Sequence, residues 1–292
     1  MDWQSFAEMN SKKFALKRFP YALLGLIFLA SVVPAQLWYD HWSRSERKPL
    51  DTTYNILIEP QPVSASTAKL VNFGFKEFLA DYYWLSLIQY YGGGDPYGKY
   101  RKMPDLFNNI IELSPKYEAV YQTGLIIMPG EGYVDEAIDF GYKGMDNMPD
   151  KWEIPYYTGL VYHIYKKDYV SAAKMFERAA EMPNALPITK YFAGIYYNKA
   201  DQRETAYNIF KTVYETTKDD YVKDRAKKNM DHLAIYFLLQ DAVKYYHDNY
   251  KSYPSDLNQL VTKKVLKSIP EDPLTIGFTI DPNTGIVTEN KK

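Results

Sequence analysis

No cysteine occurs anywhere in the 292 residues. Its absence excludes disulfides, thiolate nucleophiles, cysteine metal ligands and a lipid-modified cysteine anchor. It leaves the redox compartment open, since cysteine-free chains occur in oxidising and reducing places alike. An excess of one charge is missing too: Lys and Arg number 35, Asp and Glu 36, for a net charge of -1. A surface that grips phosphates carries a basic excess, so no nucleic acid is expected as a partner. The local basic run of Lys223, Arg225, Lys227 and Lys228 is interleaved with Asp219, Asp220 and Asp224 and reads as a solvated helix face. Histidine is scarce. His41, His163, His232 and His247 stand at no metal-ligand spacing, so each reads as structural or superficial. Neither G-x-S-x-G nor H-E-x-x-H is present. No set of residues reads as catalytic, and no metal or cofactor is expected.

One stretch comes near to a phosphate site. Gly93 to Lys99 has the G-x-x-x-x-G-K spacing of a P-loop, but Tyr100 follows where a Mg²⁺-ligating Ser or Thr belongs. Pro96 removes a backbone N–H from the cradle. The stretch before it has helical rather than strand character. A loop between two helices is expected here, with an NTPase kept as an alternative.

What the chain does have is a long apolar run near its start. Between Tyr21 and Tyr39 no residue is charged. At about 1.5 Å per residue, such a helix nearly crosses a hydrocarbon core of roughly 30 Å. Lys12, Lys13, Lys17 and Arg18 precede the run, and Trp38, Tyr39 and Trp42 sit where interfacial aromatics belong. Residues 20–42 are therefore expected to form a transmembrane helix that acts as a signal anchor, after a short tail at 1–19. A cleaved secretion signal ending near Val33-Pro34-Ala35 and a buried core helix are the alternatives. Arg44, Arg47 and Lys48 follow soon after, so the positive-inside bias is small. The expected localisation is a single-pass membrane protein with its bulk on the periplasmic side, joined through a linker at 43–66.

The 29 tyrosines are the other unusual feature, and several of them recur at a fixed interval. Tyr121, Tyr156 and Tyr191 are 35 residues apart, as are Gly124, Gly159 and Gly194, while Pro115, Pro149 and Pro183 are 34 apart. A period of about 34 residues marks helical hairpins stacked into a solenoid. Glycine costs about 1 kcal/mol relative to alanine inside a helix, so its recurrence implies a neighbour that must come close. Ala172, Phe176 and Ala179 or Ala180 fall on one stripe of a second helix, and Ala206, Phe210 and Val213 repeat it. Each proline closes a hairpin because it cannot continue a helix.

These residues resemble the tetratricopeptide repeat family, whose pattern runs Leu-Gly, Tyr, Ala, Phe, Pro. The stretch "AGIYYNKADQRETAYNIF", from Ala193 to Phe210, carries it most clearly in Gly194, Tyr197, Ala206 and Phe210. The segment 158–183 matches with one extra residue in its turn. The segment 121–149 departs from it at Gly141 and Gly144, and an earlier hairpin near 68–115 matches only at Ser114-Pro115. The resemblance implies a mainly α fold, a solenoid over 67–232. It also implies a groove for protein or peptide segments along the first helix of each repeat. On that reading Tyr121, Leu125, Tyr156, Leu160, His163, Tyr191, Ile195, Asn198 and Lys199 would line the groove. The Lys and Asn that clamp a C-terminal carboxylate in some family members are here replaced by Tyr and aliphatics, which favours an apolar, extended segment.

From about residue 233 the character changes. "LAIYFLLQDAVKYYHDNY" reads as one long helix. Ser255 is placed to cap a short helix holding Leu257, Leu260 and Val261. "GFTIDPNTGIVT" reads as two short strands around a Pro-Asn-x-Gly turn. The succession of helix, Tyr253-Pro254, spaced leucines, Ile269-Pro270, Asp272-Pro273 and a hairpin with Gly285 resembles the C-terminal region of type II secretion pseudopilins. The methylation motif of that family is absent. A small α+β cap over 233–292 is expected. A membrane-anchored, non-enzymatic scaffold or adaptor is the expected function, with an accessory factor of pilus or type II-like secretion assembly as the alternative.

Overall fold

A computed structural model describes residues 74–93 and 100–290, together with positions 31, 34–38, 41 and 67. The tail 1–19, the linker 43–66 and most of the expected membrane segment lie outside the described residues. Its described positions are helical, and Leu37 and Trp38 there are exposed. Among the described residues no helix is long and apolar enough to cross a membrane.

The fold is mainly α. Helices α1 (Lys76–Gly92), α2 (Met103–Leu113), α3 (Glu118–Ile127), α4 (Val134–Asn147), α5 (Glu153–Val161), α6 (Tyr169–Ala180), α7 (Pro187–Lys199) and α8 (Arg203–Thr216) alternate as pairs. A 31-residue helix, α9 (Asp220–Tyr250), follows, then α10 (Asn258–Thr262) and a two-stranded sheet, β1 (Phe278–Ile280) with β2 (Val287–Glu289). Each helix packs chiefly on its neighbours in sequence, as α1 on α2, α5 on α6, α6 on α7, and α8 on α9. The near P-loop follows helix α1 rather than a strand, and residues 94–99 lie outside the described residues.

The recurrent glycines are seats for aromatic rings. A Cβ on Gly124 would stand 2.7 Å from the Phe140 ring, one on Gly194 2.7 Å from Phe210, and one on Gly159 3.1 Å from Phe176. Each ring comes from the second helix of the same hairpin, is fully buried, and lies flush on the backbone of the first. The first of these pairs is hidden in the repeat pattern. Phe140 stands one residue before Gly141, where the alignment of alanines puts the aromatic. Gly141 and Gly144 are filled instead by neighbours: a Cβ on Gly141 would collide with the Thr158 hydroxyl, and one on Gly144 would meet Tyr121 at 2.7 Å. The departures from the repeat pattern in 121–149 are thus tight contacts.

Local chemistry ends and starts the helices. Pro104 and Pro187 stand in the first turns of α2 and α7, where a missing N–H costs nothing. Asp168 caps α6 by accepting from the Ser171 N–H at 3.0 Å. The hairpin turns pass through left-handed residues, Gly132, Lys167 and Asp201. The extra residue of the middle repeat is absorbed by a π-helical turn, Tyr162–Lys166, so Phe176 still reaches Gly159.

The long helix begins at Asp220, well before the change of composition near residue 233. Asp219 caps it, accepting from the Val222 N–H at 3.0 Å. Its first half continues the array with Val222, Ala226 and Leu233, and its second half carries Leu239, Ala242, Val243 and Tyr246 into a separate core with Leu260, Ile280 and Val287. The boundary between repeats and cap therefore runs through one continuous helix. The mixed charges of its first turns pair along the helix, Lys228 with Asp224 at 2.7 Å and Lys227 with Asp231 at 2.6 Å. At α10 the capping side chain is Asp256, which accepts from the Gln259 N–H at 3.0 Å, rather than Ser255. The strands pair antiparallel with Ile280 opposite Val287. Gly285, left-handed at φ 69°, turns the hairpin against the Tyr253 ring, where a side chain would collide.

Truncating Phe176 or Phe210 to alanine should each lower unfolding stability by about 3–5 kcal/mol, the usual cost of deleting a buried ring. Urea unfolding followed by circular dichroism measures it, and a loss under about 1 kcal/mol would mean the rings are not seated as described.

Candidate protein-binding groove

The residues expected to line a groove divide into two groups. Tyr121, Leu125 and Tyr191 are buried. The Tyr121 hydroxyl donates to the Pro115 carbonyl at 3.1 Å and accepts from the Asn147 amide at 2.9 Å, while its ring lies 4.9 Å from Phe140. Tyr191 accepts from Asn229 of α9 at 3.1 Å and packs on Phe210. These three are packing residues, because a hydroxyl satisfied inside and a ring closed off from water have nothing left to offer a partner. Tyr156, Leu160, His163, Ile195 and Asn198 are half-buried, and Lys199 is exposed.

Tyr156, His163 and Lys199 belong to one aromatic row, and Leu160 and Ile195 pack on the same core. Trp152 packs edge-on to Tyr156 at 5.7 Å, Tyr156 edge-on to Phe176 at 5.3 Å, and Phe176 stacks on Tyr196 at 5.1 Å. His163 lies 4.6 Å from Tyr196, with Tyr169 alongside. The Lys199 ammonium sits over the rings of Tyr196 and Tyr169, at 5.4 and 5.6 Å. Burial, with Lys199 and Lys167 nearby, pushes His163 below its ordinary value, so it is neutral at pH 7. Its Nδ1 is shut off from solvent with no hydrogen-bond partner. Tyr169 and Tyr196 escaped the sequence reading. Their signal was spacing, since Tyr169 follows the capping Asp168 and Tyr196 lies two residues beyond the Gly194 seat. The row holds no nucleophile beside a base. It brings together ring edges, one cation and one neutral imidazole.

At its far end the row meets the C-terminal module. Asn198 stands beside Glu289 of β2 and helps, after His232, to hold that carboxyl below its ordinary value. His232, on α9 and almost wholly buried, donates through Nδ1 to Asp272 at 2.7 Å and stacks on Phe278 at 4.7 Å. Its Nε2 is 3.2 Å from Glu289, close enough for charge attraction but out of line for a hydrogen bond. The two carboxylates lie on opposite sides of the ring, so they cannot converge on a metal ion with it. Asp272 also accepts the backbone N–H groups of Leu274, Ile276 and Gly277. Further along the same helix, the Gln240 amide donates to the Gly285 carbonyl and accepts from the Val287 N–H, both at 3.0 Å. His232 and Gln240 thus clasp the hairpin to α9. Beside the clasp a cleft of about 700 Å³ is walled by Tyr236, Phe237 and Asp241. In it Arg203 stacks on Tyr236 at 4.5 Å and pairs with Asp201 at 2.8 Å.

No family model matches the chain, and no curated protein matches it.

The clasp gives stability a defined pH dependence. Burial alone would lower His232, but Glu289 and Asp272 raise it above its ordinary 6.5. Its contribution is therefore complete below about pH 6.5 and lost as pH rises through the raised value. Burial would raise Asp272, but the Gly277 N–H and His232 hold it below its ordinary 3.8, and Glu289 is held below 4.5. Their contributions are complete above those values and lost in acid. The urea midpoint of the full chain should fall as pH rises above about 6.5, and His232→Gln should flatten that fall. An equally steep fall in the variant would mean the clasp does not titrate in this window.

Proposed function

We propose that the chain is a membrane-anchored tetratricopeptide-type scaffold that holds an apolar, extended protein segment, and that it is not an enzyme. The observation that carries this reading is the partly exposed margin of Trp152, Tyr156, Leu160, Tyr169 and Ile195, with Lys199, over the buried rings of Phe176 and Tyr196. Half-buried rings and aliphatics held on a packed core offer the side chains of an extended segment a surface to lie on, at little cost in side-chain entropy. Lys199 at one end favours a segment with an acidic residue there. Residues 20–42 would hold the array at a bilayer, with the repeats outside the cytoplasm. The 35-residue glycine period and the uncharged run from Tyr21 to Tyr39 are what support the family and the anchor.

A role in pilus or type II-like secretion assembly is the second reading. It is favoured by the small C-terminal module, whose long helix, short helix and hairpin follow the order of the resembled pseudopilin segment. A nucleotide-binding role at Gly93–Lys99 has less behind it, because helix α1 leads into that loop.

Selection of a displayed peptide library on the full chain in lipid nanodiscs tests the groove. The expected result is enrichment of segments with alternating aromatic or aliphatic residues. Binding should fall about tenfold or more, a loss of about 1.4 kcal/mol, in the Leu160→Glu and Ile195→Glu variants, measured below the melting temperature of each so that the variant is folded. Binding that survives both substitutions would remove this row as the groove. Replacing Tyr121 and Tyr191 would not serve, since both are packed inside.

A further inference from the structure

Helix α1 is apolar on two faces. The inner face, with Ala80, Tyr83, Leu87 and Tyr90, is buried in the array. The outer face carries Phe75, Phe78, Tyr82 and Leu85 with 69%, 73%, 58% and 61% of their surface exposed, and Ile88 flanks them. The spacing of three, four and three residues aligns them in one stripe about 15 Å long. Gln89 continues the line. The charges beside the stripe are engaged elsewhere: Lys76 pairs with Glu77 at 3.4 Å, and Asp81 takes the Tyr117 hydroxyl of the next hairpin. A helix apolar on two faces normally has both covered, yet the outer face of this one has no cover among the described residues.

We propose that the outer face of α1 lies on a phospholipid bilayer, inserted to the level of the headgroups. The proposal rests on the membrane-anchor reading of residues 20–42. Two arguments select lipid over a second helix. First, α1 is the described helix that follows the anchor most closely in sequence, and the chain from Ser43 to Phe75 can stretch no more than roughly 120 Å. A tethered face meets the bilayer at high effective concentration, so a small apolar stripe suffices. Secondly, Phe75, Phe78, Tyr82 and Leu85 are uncharged and more than half exposed. This mixture of phenylalanine, tyrosine and leucine is what interfacial helices carry on the lipid side. With α1 lying flat, the array would be fixed at the membrane by its first helix as well as by its anchor.

The cysteine-free chain makes the test direct. Single cysteines replace Gln89 in the stripe, Ser31 in the anchor and Lys244 on the distal α9, each labelled with an environment-sensitive fluorophore. The full chain is placed in phosphatidylcholine–phosphatidylglycerol vesicles containing lipids with a nitroxide at headgroup depth or deep in the acyl chain. The expected result is that shallow nitroxides quench the Gln89 label and deep ones the Ser31 label, while the Lys244 label stays quenchable only from water. Adding Phe78→Asp and Leu85→Asp should abolish quenching at Gln89 without changing the thermal melt, since both side chains are exposed. A Gln89 label that remains open to aqueous iodide while Ser31 is quenched would overturn the docking and leave the anchor standing. A Gln89 label shielded from both water and lipid quenchers would assign the stripe to a protein partner or second copy, and would also overturn it. Quenching at Gln89 without quenching at Ser31 would uphold the docking and remove the anchor. Loss of both would remove both.

Discussion

A phenylalanine ring resting on a helix glycine fixes the distance between the two helices of three successive hairpins, and the rest of the array follows from that distance. With no Cβ at Gly124, Gly159 or Gly194, the ring reaches the backbone of the facing helix. The same rings then pack on the neighbouring hairpin. Phe176, seated on Gly159, presents its other face to Tyr196 of α7, and Phe140 packs edge-on to Phe107 of α2. Tyr197 ties the hairpins once more by donating to Glu177 at 2.8 Å, which with burial pushes the phenol up to about 12. The seats at Gly124 and Gly159 thus set both a hairpin and its contact with a neighbour, and the proposed groove is the partly exposed margin of this packing.

Solenoid arrays must end without leaving an apolar face in water. Here the end is made by a single helix that serves two cores. The first half of α9 packs as the next helix of the array, and its second half is the floor on which the C-terminal hairpin lies. His232 and Gln240 stand at the changeover and hold the hairpin with one buried ion triad and one amide that pairs with the backbone. Because Asn198 of α7 leans on the same Glu289, the module's position and the end of the aromatic row are linked.

Much of this was legible in residue spacing. The 35-residue interval of glycines and tyrosines located the hairpins, because the seat demands glycine at one place in each. The two-stranded turn at Pro282-Asn283-Thr284-Gly285 was legible too, since only a left-handed residue closes it. The groove was less so. Tyr121 and Tyr191 share a repeat position with Tyr156, but whether such a tyrosine faces outward depends on its neighbours. Asn147 and Asn229 satisfy two of the hydroxyls, and a chain read in one dimension does not show which asparagine comes near. The Phe140 seat was displaced by one residue from the aligned alanines, and the His232–Asp272 contact joins positions 40 residues apart with no motif between them. The early start of α9 depended on one capping aspartate hidden in a run of charges.

The seat itself is tested most directly by a double-mutant cycle on Gly194 and Phe210, read as unfolding free energy in urea. With Phe210 present, Gly194→Ala should destabilise, because the new methyl needs the space of a buried ring and that ring cannot move. With Phe210 already replaced by alanine, the same Gly194→Ala should stabilise by up to about 1 kcal/mol, the ordinary helix preference for alanine. That reversal of sign is the signature of a glycine kept for its partner's ring. The same sign and size in both backgrounds would contradict the account.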